Sequence, residues 1–221
     1  MSYIKEKEKN MTTIELIHDF NNLNKTFQKY IEQDECYSLT GKDADVVIIF
    51  ANKSLENMIK DGSFILKKSV LEGKSKVKIL KKKGEFSFWK KMIPRSQHIM
   101  IGEPYGKYSV SIVNNLYNKI KRKEKIVLSH NGDQKKTFIN EVDLFYKTFD
   151  DEINLIGADH ISIWNLAELI MSEFKYKVPI ETRKRRLKNN ILFDIPYYED
   201  ILLELIPINQ GIKKLVEEKG V

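Results

Sequence analysis

The run Ala44–Ala51 constrains the fold of this 221-residue chain more than any other stretch. It reads Ala-Asp-Val-Val-Ile-Ile-Phe-Ala and is apolar, β-branched and of strand length. A strand without polar alternation has to be covered on both faces, as the central strands of parallel sheets are. Its apolar part is far too short to span a membrane. The run therefore predicts an α/β fold in which a parallel sheet is flanked by helices.

Strand and helix patterns alternate along the rest of the chain. Short apolar runs typical of strands occur at residues 12–17, 77–80, 99–101, 126–128 and 153–156. Apolar residues at helical spacing occur at residues 20–31, 55–59, 64–71, 110–120, 163–174, 198–205 and 212–216. Ser54 and Ser162 are suitable N-cap residues for the second and fifth of these helices. Strands separated by helices predict right-handed crossovers and parallel pairing.

Scarce or scattered residue types exclude several kinds of site. One cysteine, Cys36, excludes an internal disulfide and a cysteine-only metal site. The four histidines are isolated in the sequence, so we predict no metal site. The first ten residues are charged and precede no apolar run, so we expect neither a signal peptide nor a membrane segment, and we expect a cytoplasmic protein.

The net charge of +7 is concentrated in two basic segments. The first contains Lys74, Lys76, Lys78, Lys81, Lys82, Lys83, Lys90 and Lys91. The second contains Arg183, Lys184, Arg185, Arg186 and Lys188. Such clusters can contact nucleic acid, but no aromatic residues alternate with the basic ones to form a stacking platform. We interpret them chiefly as solvated surface, and nucleic-acid binding is the third of our functional hypotheses.

A series of motifs in the second half resembles one enzyme family. Met100–Gly106 resembles its R-x-x-x-x-Y-G segment, and Asn131–Ile139 resembles its G-D-G-x-x-R-D-F-I segment. Further matches follow in order at residues 143–144, 153–157, 162–170, 186, 194, 207 and 211–212. Together they resemble the extended short-chain dehydrogenase/reductase family of NAD-dependent sugar epimerases and dehydratases. Ala44–Ala51 is similar to the A-D-V-V-I-H-L-A strand of that family's nucleotide domain.

The resemblance implies a reduced Rossmann-like parallel sheet flanked by helices, with a small C-terminal α/β substrate-binding portion. Residues 1–98 would be the nucleotide-domain portion. Residues 99–221 would complete the sheet and supply the substrate-binding portion, within one compact unit. The stretch between the first strand and Ala44 is short, which suggests that one strand–helix unit is missing. The chain is thus identified as a truncated or degenerate member.

Two departures from the family concern its chemistry. Family members bind the dinucleotide with G-x-x-G-x-x-G after the first strand, whereas His18–Leu23 contains no glycine. Asp19 would also place a carboxylate where a phosphate should approach. The catalytic Tyr-x-x-x-Lys pair is replaced by Phe86 and Lys90, and phenylalanine has no proton to transfer. We therefore expect neither a catalytic residue nor a cofactor-binding residue, and no NAD or NADP.

The resemblance also implies two substrate-binding residues. Lys136 and Arg186 take the positions at which family members place arginines that contact the nucleotide diphosphate. Two cations facing a diphosphate would form charge-assisted hydrogen bonds. The alternative is that both are ordinary surface cations.

Three functions remain as hypotheses. The first is a pseudoenzyme of carbohydrate biosynthesis that binds a nucleotide sugar, a protein partner or a second copy of itself. The second is an active, divergent NAD(P)-dependent sugar-nucleotide epimerase, dehydratase or reductase with an unrecognised acid. The third is a basic nucleic-acid-binding protein, which salt-dependent binding would reveal.

Overall fold

Helices and strands alternate through the first half of the chain. The computed structural model describes residues 11–17, 23–41, 43–82, 84–157, 160–174, 176–183 and 205–220. In chain order the first elements are β1 (Thr12–Ile17), α1 (Leu23–Gln33), β2 (Tyr37–Leu39), β3 (Val46–Phe50), α2 (Lys53–Lys60), α3 (Lys68–Leu71), β4 (Lys76–Lys81), α4 (Ser87–Met92) and β5 (Gln97–Ile101).

The second half continues the alternation with shorter strands. Its elements are β6 (Glu103–Tyr105), α5 (Ile112–Lys121), β7 (Ile126–Ser129), β8 (Lys135–Asn140), α6 (Glu141–Thr148), β9 (Leu155–Ile156), β10 (His160–Ser162), α7 (Ile163–Phe174), β11 (Ile180–Arg183) and α8 (Ile208–Lys219). A 3-10 turn at His130–Gly132 joins β7 to β8.

The described strands form one large parallel sheet and two small ones. The large sheet has the order β2-β1-β3-β4-β5-β9, and each pair in it is parallel. The second sheet has the order β10-β8-β6, and β11 pairs with β7 in the third. The predicted Rossmann-like α/β class, a parallel sheet flanked by helices, is therefore confirmed.

β3 lies inside the large sheet, and all five of its residues are buried. Ile48 and Phe50 pack on one face in a core that includes Phe27 of α1. Val47 and Ile49 pack on the other face in a core that also contains residues of α2, α3 and α4. Successive side chains of a strand point to opposite faces, so only a continuous apolar run can fill two cores at once.

A third core holds the second half together. Phe138 of β8 is fully buried against residues of α5, α7 and α8. Gly211 of α8 faces the ring of Tyr105, and a Cβ at this position would overlap the Tyr105 hydroxyl. The approach of α8 to β6 therefore requires a glycine at position 211.

The structure corrects two local predictions. A helix was expected over residues 64–71, but only Lys68–Leu71 is helical. Leu66 is buried although it precedes this helix, so tertiary packing explains the apolar pattern. Ser54 was expected to cap α2, whereas Asn52 is the cap and its Oδ1 accepts a hydrogen bond from the backbone N–H of Leu55. Ser162 does cap α7, since its Oγ accepts from the N–H of Asn165 at 3.1 Å.

Other predictions are not decided by the fold. The division into residues 1–98 and 99–221 stays a prediction, and β5 runs across this boundary. Two predictions concern residues outside the described ranges. They are the glycine-free stretch, of which residues 18–22 are not described, and the helix expected over residues 198–205, of which only Leu205 is described. A membrane-crossing helix needs about 20 apolar residues. No helix in the described ranges is long and apolar enough to cross a membrane.

Candidate functional site

The carboxyl ends of parallel strands form the edge at which ligands bind in open α/β sheets. β3, β4 and β5 end at Phe50, Lys81 and Ile101, and their parallel pairing brings these ends to one edge, which we call the carboxyl edge. Asn52 lies two residues beyond β3, and its side-chain oxygen caps α2.

A buried ion pair lies at the carboxyl edge. Glu56 of α2 is only 5% exposed, and its Oε1 lies 2.7 Å from Nζ of Lys81. The same oxygen accepts a hydrogen bond from Nε1 of Trp89 at 3.0 Å, and Lys81 also donates to the carbonyl of Glu85 at 2.8 Å. A buried carboxylate is tolerated because such donors replace water. The cluster joins β4, α2 and α4 to one another.

Two neighbouring lysines are also paired. Lys53 lies 3.7 Å from Oε2 of Glu56, and Lys82 lies 3.3 Å from Oε1 of Glu103. Each of these lysines, like Lys81, therefore has a carboxylate of this chain within reach.

Phe86 and Lys90 stand where the resemblance places the catalytic tyrosine and lysine of the family. Phe86 immediately precedes α4 and lies against the ring of His98, with 5.1 Å between ring centroids. Lys90 of α4 is exposed, whereas Trp89 beside it is fully buried. Burial, assisted by the charge of Lys90, lowers the pKa of His98. No tyrosine hydroxyl stands at this position to transfer a proton.

Lys136, the first predicted substrate-binding residue, is a half-exposed residue of β8. Its Cα pairs with that of Ile161 in β10. Strand alternation places its side chain on the same face as Phe138 and Asn140. Lys136 forms no ion pair within the described part of the chain. Arg186, the second predicted residue, lies outside the described residues.

A buried carboxylate that sequence reasoning missed lies at the junction of β8 and α6. Glu141 is 2% exposed, and its Oε1 accepts from Oη of Tyr30 at 3.0 Å and from the N–H of Tyr108 at 2.9 Å. Its Oε2 accepts from the N–H and Oγ of Ser109 at 2.8 and 2.6 Å. Burial, followed by the charge of Glu141, raises the pKa of Tyr30, which stays a neutral hydrogen-bond donor.

The Glu141 carboxylate fixes the loop that follows β6. Gly106 in this loop has φ +151°, and a Cβ there would overlap the carboxylate. The amide of Asn114 in α5 donates to the Gly106 carbonyl at 2.7 Å. A cavity of about 220 Å³ opens beside these groups, between α1, this loop, the start of α6 and α8. We call it the Glu141 cavity.

Several lysines of the first basic segment form ion pairs within the chain. Lys76 and Lys78 both pair with Asp151. Lys81 and Lys82 pair at the carboxyl edge, and Lys74 lies 3.3 Å from Glu72. The pairs of Lys76, Lys78, Lys81 and Lys82 link different parts of the fold, whereas Lys74 pairs within one loop.

Comparison with known proteins gives a likeness in structure alone. No family model and no curated protein matches the sequence. A UDP-glucose 4-epimerase from Thermotoga maritima, solved with UDP-glucose, matches with a TM-score of 0.64 at 12% identity, over 93% of this chain and 97% of that one. A dTDP-glucose 4,6-dehydratase from Bacillus anthracis in complex with NAD matches with a TM-score of 0.62 at 12% identity, over 94% and 97%. A GDP-mannoheptose C4 reductase from Campylobacter jejuni with NADP bound matches with a TM-score of 0.57 at 12% identity, over 94% and 98%.

These structures correct one prediction and confirm another. The expectation that the chain uses no NAD or NADP is contradicted, because proteins of this fold include complexes with each of them. The resemblance inferred from the motifs after Ile99 is confirmed at the level of the fold. The chain has the Rossmann-like α/β fold of the NAD-dependent sugar epimerases and dehydratases.

Proposed function

We propose that this protein binds a nucleotide sugar between the carboxyl edge and β8, and that it does so without the tyrosine–lysine proton transfer typical of epimerases and dehydratases. Lys136 and Arg186 contact the diphosphate. The observation that carries this proposal is the likeness of fold to an epimerase solved with UDP-glucose and to a dTDP-glucose dehydratase.

The environment of Lys136 supports a role in binding an anion. Its side chain is half-exposed, and it forms no ion pair with a described carboxylate. This distinguishes it from the lysines at the carboxyl edge, which are paired with Glu56 and Glu103. The ammonium group of a lysine without a carboxylate partner is available to pair with a phosphate oxygen.

The side chains near α4 support the proposal that the protein lacks the tyrosine–lysine proton transfer. Proton transfer to or from a sugar hydroxyl needs a group with a labile proton within hydrogen-bond reach. Phe86 supplies none, and Lys81 at the end of β4 is bound to Glu56 and to the Glu85 carbonyl. This chain's residues would therefore bind and orient the ligand.

A second candidate function is an active, divergent NAD(P)-dependent epimerase, dehydratase or reductase. The observation that favours it is that similar structures hold NAD or NADP. When bound, such a dinucleotide supplies hydride transfer. This candidate requires another acid in place of the tyrosine.

The binding proposal is tested by calorimetric titration with UDP-glucose, dTDP-glucose and GDP-mannose, each with and without NAD and NADP. We expect Lys136→Ala to raise the dissociation constant by about tenfold, as loss of one charge-assisted contact does. Lys135→Ala is the matched control, because Lys135 is exposed and lies on the opposite face of β8. Equal losses in both variants, or no heat with any nucleotide sugar, would overturn the proposal.

A further inference from the structure

The Glu141 cavity has a balanced charge. Lys107 and Lys214 bring two positive charges to its lining, and Glu141 and Glu218 bring two negative ones. Lys214 and Glu218 lie 3.9 Å apart on α8 and offset each other. An ion of either sign therefore gains little net attraction, whereas a neutral ligand with both donors and acceptors is suited to such a lining.

Asn140 supplies an unused donor to this cavity. It lines the cavity and is 5% exposed. Its Oδ1 accepts from the N–H of Val142 at 2.9 Å, which caps α6 and fixes the orientation of the amide. Its Nδ2 has no acceptor among the described residues. An amide donor in a cavity wall that has no partner in the described chain is available to a ligand or to water.

Two tyrosines give the cavity an aromatic wall. The rings of Tyr30 and Tyr108 meet edge to face, with 5.8 Å between centroids. Tyr30 is held by Glu141, and Oη of Tyr108 accepts from Nε2 of Gln33 at 3.0 Å and keeps its own proton to donate. Aromatic rings can contact the apolar face of a polyol, while neighbouring amide and charged groups form hydrogen bonds with its hydroxyls.

The volume suits a small ligand. The cavity measures about 220 Å³ and is partly open to solvent. This space is enough for one sugar ring. Asn140 lies four residues from Lys136, or about 13 Å along β8. Lys136 is not among the residues that line the cavity, so this proposal does not depend on the proposed function.

We propose that the Glu141 cavity binds a neutral, hydroxyl-rich ligand of monosaccharide size, with Nδ2 of Asn140 donating to one of its hydroxyl oxygens. The test is a ¹H–¹⁵N NMR titration of the full chain with glucose, galactose and mannose at millimolar concentration. The side-chain amide of Asn140 and the backbone amide of Gly106 are expected to shift saturably.

Asn140→Ser separates binding from capping. Serine keeps an oxygen that caps α6 but removes the amide donor. The dissociation constant of the sugar is expected to rise by about tenfold in this variant. Asn118→Ser is the matched control, because Asn118 is an exposed residue of α5 and its replacement should leave the affinity unchanged.

Lys214→Met provides a second variant at an exposed position of α8, in case the serine variant does not fold. It is expected to weaken sugar binding while the unfolding temperature stays that of the native chain. The proposal is overturned if no sugar shifts the Asn140 amide, if the shifts map to Lys136 instead, or if inorganic phosphate competes for the cavity. Unchanged affinity in both variants would also overturn it.

Discussion

At the scale of single residues, Glu141 has the largest consequences for its surroundings. Its carboxylate accepts hydrogen bonds from α1 and from the loop after β6, so it ties the first half of the chain to the second. The loop approaches it so closely that only glycine fits at position 106. Removing one partner of a buried carboxylate leaves the rest of the cluster poorly satisfied.

We expect Gly106→Ala to lower the free energy of unfolding by more than about 2 kcal/mol, because the new methyl group displaces the carboxylate from its donors. Gly62→Ala is the control, since Gly62 has φ +79° but no atom lies within 4 Å of the place that its Cβ would take. It is expected to cost about 1–2 kcal/mol from backbone strain alone. Urea unfolding of both variants measures the difference, and equal costs would contradict the assigned clash.

The role of Glu141 could not be predicted from the sequence. Locally it is one acidic residue in the first turn of a helix, which is a common place for a solvated carboxylate. Its partner Tyr30 is 111 residues away. Periodicity and motif spacing report only on neighbours along the chain, so this contact becomes visible only in three dimensions.

At the scale of elements, α2 tests which residue caps a helix. Asn52→Ala is expected to lower the free energy of unfolding by about 1 kcal/mol, because the Leu55 N–H loses its acceptor. Ser54→Ala is expected to change it by a few tenths of a kcal/mol at most, since Ser54 is exposed and lies inside the helix. Thermal unfolding of both variants decides the point. A larger loss from Ser54→Ala than from Asn52→Ala would show that Ser54 is the cap, as the sequence suggested.

The strand β4 contains a buried lysine whose titration can be followed. Lys78 is 1% exposed and donates to Gln97, Asp151 and the carbonyl of Asp150. Burial lowers the pKa of Lys78, against the opposing attraction of Asp151. Because the folded-state pKa lies below the unfolded one, folding gains stability as pH rises through the folded value towards the unfolded value.

Lys78→Met removes this titration. The free energy of unfolding of the native chain, minus that of the variant, is expected to increase between about pH 8 and about pH 11. Denaturant unfolding at both pH values measures it. A difference that is constant or falls with pH would show that burial does not lower the pKa of Lys78.

At the scale of the whole molecule, the sequence predicted the sheet better than the site. The apolar run Ala44–Ala51 predicted a strand that is covered on both faces. In the structure its side chains belong to the two cores on either side of the sheet. The motifs after Ile99 predicted the fold that the comparisons confirm. The ion pairs of Lys76, Lys78, Lys81 and Lys82 join residues distant in sequence, so composition alone could not predict them.

We propose above that this chain binds a nucleotide sugar but leaves it chemically unchanged. One ¹H NMR time course of UDP-glucose with the protein and NAD, with saturation transferred from the protein, reads out both parts. We expect saturation transfer to the nucleotide and sugar protons, with the glucose signals unaltered over time. Absence of transfer, or the appearance of an epimerised or oxidised sugar, would contradict it.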